Sequence, residues 1–117
     1  MDKDNIIVNK SKKFAVRIVK LSRYLQEEKR EFVLSKQLLR SGTSIGANVK
    51  EAIRGQSRAD FNAKMNIALK ESSETEYWLE ILHETNYLTD SEFESIYSDS
   101  KEIIRILMSI VKNSRVR

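Results

Sequence analysis

Four long stretches of this chain repeat apolar residues at steps of three and four, and no proline interrupts any of them. That period puts side chains on one face of an α-helix, whereas a half-buried strand alternates at two. The turn chemistry of sheet folds is missing as well, since glycine occurs only at Gly42, Gly46 and Gly55. An all-α fold follows. At 117 residues the chain has the length of one domain with one core, so residues 1–117 are expected to form a single four-helix bundle.

The first pattern, about residues 5–28, lines Ile7, Phe14, Ile18, Leu21 and Leu25 along one face. The charged run Glu27-Glu28-Lys29-Arg30-Glu31 is too polar to bury and is expected to connect two helices. The second pattern, about 32–54, turns Leu38, Gly42, Ile45, Val49 and Ala52 inward, with Gly55 suited to the left-handed residue beyond a helix end. The third, about 58–88, opens on Ser57, whose hydroxyl can cap the first turn, with the acid Asp60 at the positive helix end. Its seam is Phe61, Met65, Ala68, Ser72, Thr75, Leu79, Leu82 and Asn86. Thr89-Asp90-Ser91-Glu92 is a capping box that starts the fourth, about 90–113, with Phe93, Tyr97, Ser100, Ile104, Leu107 and Val111 inward. The tail Asn113–Arg117 is expected to fray. Short connections make successive helices antiparallel, giving an up-down-up-down bundle with a left-handed twist. At about 1.5 Å rise per residue it should be a rod on the order of 33–45 Å long.

The helices carry more apolar surface than one such core needs. Val8, Ala15 and Val19 form a second stripe on the first helix, and Ala63, Ile67, Trp78 and Ile81 a flank on the third. On the fourth, Ile96, Ile103 and Ile110 recur every seven residues beside the expected seam, with Ile106 and Met108 to either side. Apolar residues sustained beside a seam are how bundles specify oligomers, and left bare they favour aggregation. Val8, Val19, Ile67, Glu71, Glu74, Trp78, Ile96, Ile103 and Ile110 are therefore the candidate oligomer interface. Glu71 and Glu74 would need cationic partners there, such as Lys70 or Arg40 of a neighbouring copy. Gly42 and Gly46 each cost about 1 kcal/mol against alanine in a helix. Sharing a face near Ala47 and Ala52, they permit close backbone approach; a phosphate cradle would need them on a loop after a strand.

The net charge of +4 is unevenly spread. Residues 1–30 hold nine basic and four acidic side chains, and 31–58 five and two. Residues 59–88 hold two and six, and 89–117 are balanced. Lys10, Lys13, Arg17, Lys20 and Arg23, with Lys12, make a basic strip on the first helix that could neutralise phosphates, and Tyr24 beside it could stack a base. The bland alternative is a solvated helix flank with a packing tyrosine. Cysteine is absent, which removes disulfides and thiolate chemistry. No run reaches membrane-spanning length, no signal-peptide core follows the polar start, and a cytoplasmic setting is expected.

Catalytic patterns are weak. Glu76, Glu80 and Glu84 rise at four-residue steps like half of a carboxylate metal bundle, but the single histidine, His83, forms no Glu-x-x-His pair. No metal site, cofactor or catalytic residue is assigned, and those glutamates are expected to form a solvated lane.

The stretch from Val33 to Ala52, Val-Leu-Ser-Lys-Gln-Leu-Leu-Arg-Ser-Gly-Thr-Ser-Ile-Gly-Ala-Asn-Val-Lys-Glu-Ala, resembles the signature of the bacterial four-helix bundle proteins encoded in intervening sequences of 23S ribosomal RNA genes. Asp60-Phe61 with Lys64, Ala68-Leu69-Lys70-Glu71 and Glu74-Thr75-Glu76-Tyr77-Trp78-Leu79 extend the resemblance over nearly the whole chain. Asn48, Glu51, Glu71, Glu74 and Trp78 match the family motif, while Lys50 and Ser72-Ser73 stand where alanine-rich residues are usual. The resemblance implies a ring-like homopentamer. It also implies similarity to the accessory variability proteins of diversity-generating retroelements, pentameric bundles with a basic surface that partner a reverse transcriptase and bind nucleic acid. The expected function is thus a non-enzymatic homo-oligomeric scaffold that binds RNA or DNA or docks a nucleic-acid enzyme, with no membrane partner. The alternative is a protein-interaction adaptor with no nucleic-acid role.

Overall fold

In the computed structural model of the chain, which describes residues 3–115, four helices supply all the regular structure: α1 (Lys3–Glu27), α2 (Leu34–Ile53), α3 (Arg58–Glu84) and α4 (Asp90–Arg115). Each helix packs on its sequence neighbours, and α4 closes on α1. Paired side chains fix the directions. Ser22 Oγ donates to the Ser35 carbonyl, while Gly46 lies against Ser11 at the other end of the α1–α2 seam. Lys64 pairs with Glu51, and Arg40 reaches Glu71, so α2 and α3 also run opposite ways. The result is an up-down-up-down bundle measuring 46 × 21 × 21 Å, about the expected length.

The core stripes of α1 and α2 are as expected, with Ile7, Phe14, Ile18 and Leu25 facing Leu38, Ile45, Val49 and Ala52, all buried. Leu21 is half-buried at the edge. On α3, Met65, Ala68, Ser72, Thr75, Leu79 and Leu82 are buried. The expected seam residue Asn86 is not: it lies beyond the helix, exposed, at φ 68°, a left-handed conformation that asparagine tolerates.

The fourth helix corrects the sequence reading. Ile96, Ile103 and Ile110, expected on the spare face, are 3%, 2% and 5% exposed and belong to the protomer's own core. Tyr97 and Ile104, expected inward, are half-buried at its edge. The inward line is Phe93, Ile96, Ser100, Ile103, Leu107, Ile110 and Ser114, alternating steps of three and four as a bundle seam does. Ser100, Leu107 and Val111 are buried as expected, and the difference lies in which apolar residues complete the seam around them.

The helix ends are set by side chains. Glu31, expected to be solvated, is buried, and its carboxylate accepts from the backbone N–H groups of Val33, Leu34 and Ser35 at 3.3, 3.0 and 2.7 Å. It therefore satisfies the orphan donors of α2, whose N-cap Val33 has no side-chain acceptor. Ser57 accepts from Asp60 N–H at 3.0 Å, and Thr89 and Glu92 exchange the two bonds of a capping box. Gly55 does not adopt the left-handed conformation expected of it, since no glycine has positive φ. A Cβ there would lie 3.1 Å from the Ala52 carbonyl, so the glycine serves a close approach instead. Of the tail expected to fray, α4 runs on through Asn113 and Ser114 to Arg115; Val116 and Arg117 lie outside the described residues.

Candidate functional site

The basic strip of α1 divides into two sets. Arg17 Nη1 donates to Asp99 at 2.7 Å and its Nη2 to Ser95 Oγ at 2.9 Å, and Lys10 pairs with Glu102 at 3.2 Å. These two cations fasten α1 to α4. Lys13, Lys20 and Arg23 are exposed, and among the described residues no carboxylate pairs with them. Between the second half of α1 and the first turns of α4 lies a groove of about 590 Å³, lined by Arg17, Lys20, Tyr24, Leu88, Ser91 and Ser95 among others. The sequence singled out the α1 side of this groove. It missed Ser91 and Ser95, which only the antiparallel register brings opposite.

A second groove, about 460 Å³, runs between α1 and α2. Val8, Ala15, Thr43, Gly46, Ala47 and Ile53 supply its walls, and Lys12, Lys50 and Arg54 its rim. The small side chains at 43, 46 and 47 leave the α2 backbone nearly bare, so among the described residues the apolar second stripe of α1 is only partly covered. Val19 and Val16, next along that helix, are 36% and 49% exposed. Of the candidate interface residues, Val8 and Val19 border this face.

Ile67, Glu71, Glu74 and Trp78 share the outer flank of α3 beside α2. Ile67 is 42% exposed and Trp78 is half-buried. The cation expected from a neighbouring copy comes from the same chain: Arg40 Nη1 donates to Glu71 at 2.9 Å, and Nη2 donates to Glu74. Trp78 Nε1 also donates to Glu74, at 3.0 Å. These bonds, that of Trp78 foremost and then that of Arg40, hold the Glu74 carboxyl below the usual carboxylate range. Neither carboxylate needs a second copy to satisfy it, and the clamp is an α2–α3 fastening.

Glu76 and Glu80 are not a solvated lane. Lys101 sits 3.1 Å from Glu76 and 5.2 Å from the centre of the Tyr97 ring, and Tyr97 donates its hydroxyl to Glu80. Burial, then the bond to Glu80, raises the Tyr97 phenol above its ordinary value. His83 stacks on Phe93 with ring centres 4.1 Å apart and contacts Asp90 at 2.7 Å. Glu76 and Glu80 are thus engaged in holding α4, while Glu84 is exposed as expected. Among the described residues no three histidine, cysteine or acidic side chains converge as metal ligands, and no helix is long and apolar enough to cross a membrane.

Residues 3–109 match the family described as 23S rRNA-intervening sequence protein. A crystal structure from Bacteroides thetaiotaomicron, of a protein of unknown function from the S23 ribosomal protein family, is 60% identical in sequence. It covers 95% of this chain and 99% of its own, with a TM-score of 0.93. The search of curated proteins found no match.

Proposed function

The chain belongs to the 23S rRNA-intervening sequence protein family, and we propose that it works as a non-enzymatic, cytoplasmic, homopentameric scaffold whose basic surface binds RNA or DNA and so serves a nucleic-acid enzyme. The observation that carries this reading is the α1 face. There an uncovered apolar groove against α2 lies on the same helix as three cations that pair with no carboxylate among the described residues. The apolar part suits a copy of the chain, as burying about 25 cal/mol per Å² of apolar surface favours association. The cations suit phosphates. Repeated around a closed ring, three free charges per protomer would form a continuous positive field.

Nitrocellulose filter binding with mixed RNA and DNA across a salt series tests the nucleic-acid half. Affinity should fall steeply with salt, by a slope of about 0.7–0.9 for each phosphate contacted. Charge reversal of Lys13, Lys20 and Arg23 together should abolish binding without unfolding the bundle, because none of them fastens a helix. Lys10 and Arg17 are poorer choices, since reversing them also breaks ion pairs to α4. Absent or salt-insensitive binding would remove the nucleic-acid role and leave an adaptor that binds protein alone.

A further inference from the structure

The groove between α1 and α4 differs in kind from a charged flank, because its floor is apolar and only its rim is charged. Leu88 and Ile96 are buried beneath it, and Leu21 and Tyr24 are half-buried along its α1 wall. Its volume of about 590 Å³ lies within the range of small-molecule sites, roughly 300–1,000 Å³. The antiparallel register gives it two distinct ends. At one end Arg17 is held in place by Asp99 and Ser95, and Lys20 stands free one turn further on. At the other, Tyr24 and Leu88 both line the groove beside the start of α4, where Ser91 Oγ has no partner among the described residues. Glu92 lies on the rim at this second end, and its carboxylate is occupied in capping Thr89 N–H.

Resting on the nucleic-acid reading above, we infer that this groove receives one unpaired nucleotide of a single-stranded nucleic acid, its base against Tyr24 and its phosphate at Lys20. Arg17 already faces the carboxylate of Asp99, so Lys20 is the cation left for a phosphate. Lys20 and Tyr24 are four residues apart, about 6 Å along the helix axis, a separation that a ribose spans. The negative charge of Glu92 disfavours a phosphate at the Tyr24 end, which sets the nucleotide's direction. An apolar floor rewards a flat base rather than a backbone. The base faces of a duplex are covered by their stacked neighbours, so only a single strand can offer one to Tyr24.

The test is fluorescence anisotropy of a labelled oligouridylate, of a duplex of equal length, and of inorganic polyphosphate, each with the wild type, Tyr24→Leu and Tyr24→Phe. Leucine keeps an apolar side chain in the wall and removes the ring, while phenylalanine keeps the ring. Tyr24→Leu should weaken single-strand binding by about 5- to 150-fold, the range of one base–aromatic stack, and change duplex and polyphosphate binding by less than about twofold. Tyr24→Phe should bind all three like the wild type. Equal single-strand affinity in Tyr24→Leu and wild type would overturn the inference while leaving the nucleic-acid role intact. Equal losses on all three probes would likewise overturn it, marking Tyr24 as a packing residue. A wild type that binds none of them would remove both proposals together.

Discussion

Replacing Ile103 by alanine should lower the unfolding free energy by about 2–5 kcal/mol, the range for emptying a fully packed aliphatic site. Its side chain is 2% exposed and lies in the middle of the α4 seam, between the buried Ser100 and Leu107. Set against a total stability of about 5–15 kcal/mol for a domain, such a loss takes a large share of the folding free energy. Urea unfolding followed by far-ultraviolet circular dichroism checks it, with the midpoint falling and the slope unchanged. Were Ile103 an interface residue, as its seven-residue spacing first suggests, the variant would change assembly size and spare the protomer. Ile67→Ala is the matching control: at 42% exposed, it should move protomer stability by no more than about 0.5 kcal/mol.

Gly42→Ala is expected to destabilise the bundle by about 1–2 kcal/mol, although alanine is the better helix former by about 1 kcal/mol. A Cβ built at Gly42 would lie 2.7 and 2.8 Å from the two γ carbons of Ile18 and 3.2 Å from its Cβ. Ile18 is fully buried, and β-branching holds its χ1 in one rotamer, so it cannot swing aside. The α1–α2 spacing would have to open instead. A double-mutant cycle isolates the cause. In an Ile18→Ala background both γ carbons are gone and only the 3.2 Å contact to Cβ remains, so most of the loss should disappear. Persistence of the same loss in that background would mean that the backbone, and not Ile18, demands glycine. At Gly46 the nearest obstacle is the Ser11 carbonyl at 3.3 Å, so alanine there should have a smaller effect.

The fold was legible because its period was redundant. In α1 and α2 most inward positions are apolar, and the small inward residues Gly42 and Ala52 fit the same face, so one reading of the spacing survives. In α4, Tyr97 and Ile104 each follow directly on Ile96 and Ile103, so a line through them scores as well on hydrophobicity alone. Which line faces inward depends on the helices beside it, which no single-helix pattern contains. The same limit applies to the polar groups. Thr89 and Glu92 are a local capping box and were visible, whereas Glu31 caps α2 from a loop position without a motif. The sequence offers Arg40 as a cation for Glu71 and Glu74 but not its place in the same chain, because its distance along the sequence hides the α2–α3 register. For the candidate sites, composition located the cations on α1. Whether each cation is free, like Lys20, or committed, like Arg17, depended on the acids that α4 brings across.

Sedimentation velocity of the purified chain at micromolar concentration, free of nucleic acid, addresses most directly the claim that copies of the chain cover the apolar α1–α2 face. Five copies of the 13.6 kDa protomer in one boundary is the expected result. A single boundary at 13.6 kDa, unchanged across that concentration range, would contradict it.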